Sequence, residues 1–183
     1  MGADAVFSVF GGKGEEIMIN NAMFSSNRDD WETPLELFNQ LDAIYHFDLD
    51  VCALPHNAKC DKYYTPDDDG LSKPWEGTCW MNPPYGRQIG RWMEKAYKSS
   101  LVGATVVCLV PSRTDTAWWH DYAMRASKIT YIRGRIKFVG AKHGGAIPVC
   151  NCCFWPTHQP RGVADRGKGG MRFAIMATTG IIL

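Results

Sequence analysis

The stretch Asn82-Pro83-Pro84-Tyr85-Gly86, which follows the apolar run Thr78-Cys79-Trp80-Met81, decides how this chain is read. Two successive prolines cannot continue a helix or a central strand, because each lacks a backbone donor and has a fixed φ. Pro83 also drives Asn82 toward an extended backbone, and Gly86 permits a sharp turn. The stretch is therefore expected to be a stiff loop at the carboxyl end of a strand. It presents an amide side chain, the free carbonyl of Pro83 and an aromatic ring. An amide oxygen and a carbonyl accept from an exocyclic NH2, and a ring stacks on a planar base. Asn82, Pro83, Pro84 and Tyr85 are thus the candidate catalytic residues for chemistry on a planar, amine-bearing ring. The competing reading is a rigid turn whose Asn is satisfied by backbone.

Upstream of the loop, Thr33 and Pro34 of Trp31-Glu32-Thr33-Pro34 suit an N-cap and a first helical residue. Leu37, Phe38, Leu41, Ile44 and Tyr45 then mark one face of a helix ending near Tyr45. A helix start offers free N–H groups to an anion such as a carboxylate. Residues 47–53, Phe-Asp-Leu-Asp-Val-Cys-Ala, alternate and then turn apolar. They read as the first strand of a parallel sheet, with Asp50 at its carboxyl end, where Rossmann-like folds bind cofactors. For a lone Asp the rival role is a loop cap. The glycine-rich turn usual after such a strand is replaced by Cys52-Ala53-Leu54-Pro55. Residues 63–65 suit an edge strand, and the acidic run Asp67-Asp68-Asp69 reads as a solvated turn. Only 32 positions separate Asp50 from Asn82, so no separate domain fits between them.

Downstream, residues 89–99 carry a helical apolar face and residues 104–110 are an uncharged run of β-formers, as a buried parallel strand requires. Arg113 follows that strand. Residues 116–126 read as a helix and 129–132 as another strand. Arg133, Arg135 and Lys137 alternate with Gly134, Ile136 and Phe138, which in a strand puts the cations on one face. Residues 149–155 and 171–178 are expected to form a closing hairpin. Between them, Arg161, Arg166 and Lys168 stand among glycines in a basic loop suited to phosphates, or simply solvated. Residues 1–22 are an extension or an edge hairpin, and Gly11-Gly12-Lys13-Gly14 lacks the spacing of a phosphate loop.

The bulk numbers limit the alternatives. A length of 183 residues with 45% hydrophobic content fits one globular domain, here residues 23–183. A net charge of +1 means that any nucleic-acid binding rests on local patches. Seven cysteines, an odd number partly in apolar runs, argue for free thiols in a reducing, cytoplasmic setting. Cys52, His56 and Cys60, or Cys150 and Cys153, have incomplete zinc spacing, so no metal is expected. No segment approaches the roughly 20 apolar residues of a membrane span.

Asn-Pro-Pro-Tyr resembles the catalytic motif of S-adenosylmethionine-dependent amino-methyltransferases. The wider pattern resembles the Dam-like, phage-type DNA N6-adenine methyltransferases: Met23-Phe24-Ser25-Ser26, Trp31 to Pro34, Phe47 to Ala53, Asp69-Gly70-Leu71, Asn82 to Gly86 and Arg133 to Phe138. That resemblance implies a single compact α/β domain of the Rossmann-like class I methyltransferase type, with a mostly parallel sheet and an antiparallel closing strand. It implies S-adenosylmethionine as cofactor, held by Trp31, Thr33, Pro34, Asp50, Cys52, Ala53, Asp69 and Asn82. It implies double-stranded DNA as partner, touched by Arg113, Arg133, Arg135, Lys137, Arg161, Arg166 and Lys168. Cytosine N4 methylation, protein-glutamine methylation and a non-catalytic DNA-binding module of the same fold remain alternatives on the motif. With no spare domain, a short or relaxed recognition site is expected.

Overall fold

The computed structural model describes residues 31–140 and 148–156, and the backbone of residues 173–176. Met23 to Ser26 and the basic loop with Arg161, Arg166 and Lys168 lie outside the described residues. The fold is α/β. Seven strands form one mixed sheet: β1 (Leu49–Asp50), β2 (Lys62–Tyr63), β3 (Thr78–Met81), β4 (Thr105–Pro111), β5 (Lys128–Ile132), β6 (Val149–Phe154) and β7 (Phe173–Met176). Three helices accompany them among the described residues: α1 (Leu35–Tyr45), α2 (Ile89–Leu101) and the short α3 (Ala117–Asp121).

The strand order is β2-β1-β3-β4-β6-β5-β7. The first three pairings are parallel and the last three antiparallel. Following the directions across the sheet, β1 to β5 run one way while β6 and β7 run the other. Five of the seven strands share one direction, as a mostly parallel sheet requires, but the expected closing hairpin is corrected here. β6 pairs with β4 on one side and β5 on the other, and β7 pairs with β5. The two late strands are therefore not neighbours. The reason is burial. All six residues of β6 are buried, so this uncharged segment occupies the middle of the sheet.

The chain passes from β1 outward to β2, then back to the other side of β1 to form β3. A reversal of this kind leaves a crevice between the carboxyl ends of the two adjacent strands. The surrounding core is aromatic. Phe38 of α1 meets Trp80 edge to face at 5.6 Å, and Phe47 packs on both at 5.4 Å. Leu37, Phe38 and Leu41 are the buried face of α1, as their spacing requires, whereas Ile44, expected on the same face, is 41% exposed in the last turn. In α2 the buried residues Ile89, Met93 and Ala96 follow the same rule.

Three local expectations change. The segment 133–138 forms no strand, yet Ile136 and Phe138 are buried while Arg133, Arg135 and Lys137 are exposed. The alternation reports burial on one side of an irregular segment. Residues 116–126 split into α3 and a 3-10 turn at Ala123–Arg125. Helix α1 begins at Leu35 with Pro34 in the cap position and no side-chain cap, so Thr33 does not cap it.

Candidate active site

At the carboxyl ends of β1 and β3 lies a cleft of about 730 Å³, within the usual size for small-molecule sites. Its floor is Asp50. Both carboxylate oxygens accept from backbone donors of the following loop: Oδ1 from Cys52 N–H at 3.3 Å and Oδ2 from Lys59 N–H at 3.1 Å. Asp50 therefore shapes the loop that replaces a glycine-rich turn, and it still faces the cleft. Burial raises its pKa to about 6, against the opposing pull of those two N–H groups. A buried carboxylate in this state gains from a cationic ligand.

The loop 51–61 is tied down along its length. Val51 N–H donates to the Trp80 carbonyl, Ala53 N–H to the Tyr64 carbonyl, and Leu54 N–H to Asn57 Oδ1. Gly70 locks the opposite wall. A Cβ there would lie 2.3 Å from the Val51 carbonyl oxygen, so only glycine allows this approach. Its carbonyl accepts from Trp75 Nε1 at 2.8 Å. Asp69, in a left-handed conformation, is thereby held at the edge of the cleft.

Asn82 closes the inner end. Its Nδ2 donates to the Trp31 carbonyl. Because a carbonyl only accepts, the amide nitrogen must face it and the oxygen must face away. That oxygen is buried and has no partner among the described residues. A buried acceptor without a donor is costly, and here it borders a cleft. Thr33 repeats the pattern. The residue is 1% exposed, its hydroxyl has no partner among the described residues, and it lines the same cleft. The resemblance-derived residues Trp31, Thr33, Asp50, Cys52, Ala53, Asp69 and Asn82 are brought together in this wall, and Pro34 is not.

The aromatic side of the loop is arranged differently. Pro84 lines the cleft, while Pro83 and Tyr85 are buried. The Tyr85 hydroxyl donates to the Leu109 carbonyl at 3.2 Å, and its ring meets Phe138 edge to face at 6.1 Å. Phe138 also packs on Trp31 at 5.5 Å, and Val139 N–H donates to the Glu32 carbonyl at 3.0 Å. The segment after β5 is thus strapped across the Asn82-to-Gly86 loop. Arg113 follows β4 and Arg133 follows β5, so both stand on the sheet edge that carries Asp50 and Asn82. All four described DNA candidates, Arg113, Arg133, Arg135 and Lys137, are exposed.

Several cleft residues carried no assignment from sequence: Glu32, Lys59, Trp80, Arg87 and Gln88. Arg87 and Gln88 directly follow the Asn82-to-Gly86 loop, and Glu32 sits inside the Trp31-to-Pro34 motif, so adjacency could have found them. Lys59 lies in an irregular stretch with no such signal. Among the described residues, no three His, Cys, Asp or Glu side chains gather as a metal site, and no helix is long and apolar enough to cross a membrane.

An α/β sheet with a cleft at its switch point, bordered by an unpartnered amide oxygen on an Asn-Pro-Pro-Tyr loop, agrees with the class of amino-methyltransferases that this loop resembles. Comparison with known proteins gives the particular family. Residues 20–155 match the family described as DNA N-6-adenine-methyltransferase (Dam). The chain is 35% identical over 123 residues to the DNA N-6-adenine-methyltransferase of Haemophilus phage HP1, covering 65% of this chain and 71% of that one. It is 28% identical over 138 residues to the enzyme of the same description from Escherichia phage T1, covering 66% of this chain and 58% of the other. The chain belongs to the DNA N-6-adenine-methyltransferase (Dam) family and is an adenine-N6-specific DNA methyltransferase.

Proposed function

We propose that the cleft binds S-adenosylmethionine and that Asn82 receives the N6 amine of a target adenine at its inner end, within a fold of the Rossmann-like class I methyltransferase type. The observation that carries this reading is the buried, unpartnered Asn82 Oδ1, held in place through Nδ2 by the Trp31 carbonyl. The fold reading is supported by the switch point between β1 and β3. The family match from residue 20 supports a domain starting near residue 23.

The residues present fit such a cofactor. Its methionine end carries an ammonium and a carboxylate, and its sulfur is cationic. The cleft wall offers the carboxylates of Glu32, Asp50 and Asp69 against the cations Lys59 and Arg87, a net negative lining for a net positive ligand. The ring of Trp31 offers an aromatic face to a cation. When bound, S-adenosylmethionine supplies an electrophilic methyl group on that sulfur. The protein's share is to prepare the nucleophile. Asn82 Oδ1, with the Pro83 carbonyl as second acceptor, accepts from the N6 amine. That draws electron density onto nitrogen and aims its lone pair along the cleft. Positioning and fixed dipoles supply most of the rate.

An adenine reaches this site only by leaving the duplex, and Tyr85 is the stacking platform. Phe138 lies against that ring in a T-shaped contact and Tyr85 is buried, so Phe138 must give way for a base to stack there. Exposed Arg113, Arg133, Arg135 and Lys137 then meet phosphates of double-stranded DNA. Free thiols at all seven cysteines suit the reducing cytoplasm of a host cell. The test is transfer of labelled methyl to DNA, followed by digestion to nucleosides. Label in N6-methyl-2′-deoxyadenosine is expected. Label in N4-methyl-2′-deoxycytidine, or in protein alone, would overturn the substrate assignment.

A further inference from the structure

Two charged side chains in the cleft wall, Glu32 and Lys59, enter the reading above only through the net charge of the lining. They belong to segments 27 positions apart. Lys59 Nζ donates to Glu32 Oε1 at 3.1 Å, with the two side chains 10% and 28% exposed. The backbone N–H of the same lysine donates to Asp50 Oδ2 at 3.1 Å. One residue therefore joins the anionic floor of the cleft to the segment leading into α1. An ammonium has three donors, and among the described residues Glu32 takes only one of Lys59's. Partial burial of an ion pair costs desolvation that its attraction only partly returns, so stability alone is a poor reason to place it in a ligand cleft.

The alternative anion site is the start of α1, and it is poorly equipped. Pro34 at the cap has no N–H, and Glu36 adds a negative charge in the first turn. Thr33, one residue before the cap, holds a buried hydroxyl with no partner among the described residues. It immediately follows Glu32 in the chain.

Building on the cofactor reading above, we propose that Lys59, oriented by Glu32, binds the α-carboxylate of the methionine part of the cofactor together with the Thr33 hydroxyl, while Asp50 faces the α-ammonium. A zwitterionic amino-acid end needs one partner of each sign side by side. The Lys59–Asp50 backbone bond fixes that spacing, and Glu32 keeps the ammonium in the cleft. Glu32 is on this account a positioning residue.

Calorimetry on the DNA-free protein with two ligands, S-adenosylmethionine and its decarboxylated analogue, tests this directly. The wild type is expected to prefer the carboxylate-bearing ligand by about tenfold to a hundredfold, the size of a charge-assisted hydrogen bond. Lys59→Gln, which can still hydrogen-bond Glu32, is expected to lose that preference by weakening S-adenosylmethionine alone, with the analogue unchanged within about twofold. Lys59→Arg is expected to keep most of the preference. Equal weakening of both ligands in Lys59→Gln would make the lysine a loop support and overturn the proposal, as would an unchanged preference. A wild type that binds both ligands without discrimination overturns the carboxylate role but leaves the cofactor reading standing. A wild type that binds neither removes the cofactor reading itself.

Discussion

The two sides of Asn82 are built in opposite ways. On one side, residues 50–71 form an open cleft whose walls are fixed by backbone hydrogen bonds and which is bordered by two unpartnered polar atoms, Asn82 Oδ1 and Thr33 Oγ1. On the other side, Tyr85 is 8% exposed, its hydroxyl is used by Leu109, and Phe138 lies against its ring. The open half suits a small ligand that enters without rearrangement. The packed half suits a base that arrives only when something yields. The difference teaches that one five-residue motif serves two unlike environments. Its amide borders a polar cleft and its tyrosine lies in an apolar core.

The largest expected effect breaks the comparison at its centre. Asn82→Ala removes the acceptor and also frees the Trp31 carbonyl. Turnover on DNA is expected to fall by at least about a hundredfold to a thousandfold, the usual loss for one electrostatic contact at a reacting group. Calorimetric cofactor affinity should change less than tenfold. Near wild-type turnover would remove Asn82 from the chemistry.

The open half is tested through Asp50. Its pKa is raised to about 6 by burial, so cofactor affinity should decline as pH drops below about 6, by up to tenfold per unit. Asp50→Asn should bind more weakly above about pH 6, lose this dependence so that the two proteins converge at low pH, and leave DNA affinity little changed. The stability sign runs the other way. The folded carboxyl holds its proton more tightly than the unfolded one, so between about pH 4 and 6 the ligand-free wild type loses stability with rising pH relative to Asp50→Asn. A cofactor affinity that stays flat down to pH 4.5 in the wild type would show that Asp50 does not touch the ligand.

Phe138→Ala sharpens the contrast on the packed half. Uncovering Tyr85 should change the KM for DNA or the turnover number several-fold while S-adenosylmethionine affinity stays within about twofold. A change confined to cofactor affinity would assign Phe138 to the cleft. The smallest effects are expected at the rim. Neutralising Arg113, Arg133 and Lys137 together should lower the log–log salt slope of DNA binding by about one for every phosphate that these cations neutralise in the wild type. An unchanged slope would turn this edge of the sheet away from DNA.

By itself the amino-acid sequence determined the chemistry and much of the local structure of this protein. Proline geometry dictates the stiff loop at Asn82 whatever surrounds it. Helical spacing marks the buried faces of α1 and α2. An uncharged run of β-formers forces β4 into the interior. These are short-range consequences of covalent geometry and solvent avoidance, so neighbours in sequence suffice to read them. Only the tertiary structure decided what depends on distant partners. Thr33 looked like a helix cap, yet its hydroxyl is left for the cleft because Pro34 takes the cap position. Residues 133–138 alternate like a strand, but their buried side is satisfied by packing on Tyr85 and Trp31 without pairing. The place of β6 between β4 and β5 follows from competition among apolar segments for the centre of one sheet. The ion pair of Lys59 with Glu32 spans 27 positions. No local pattern records such a pairing, because its energy exists only once the chain has folded.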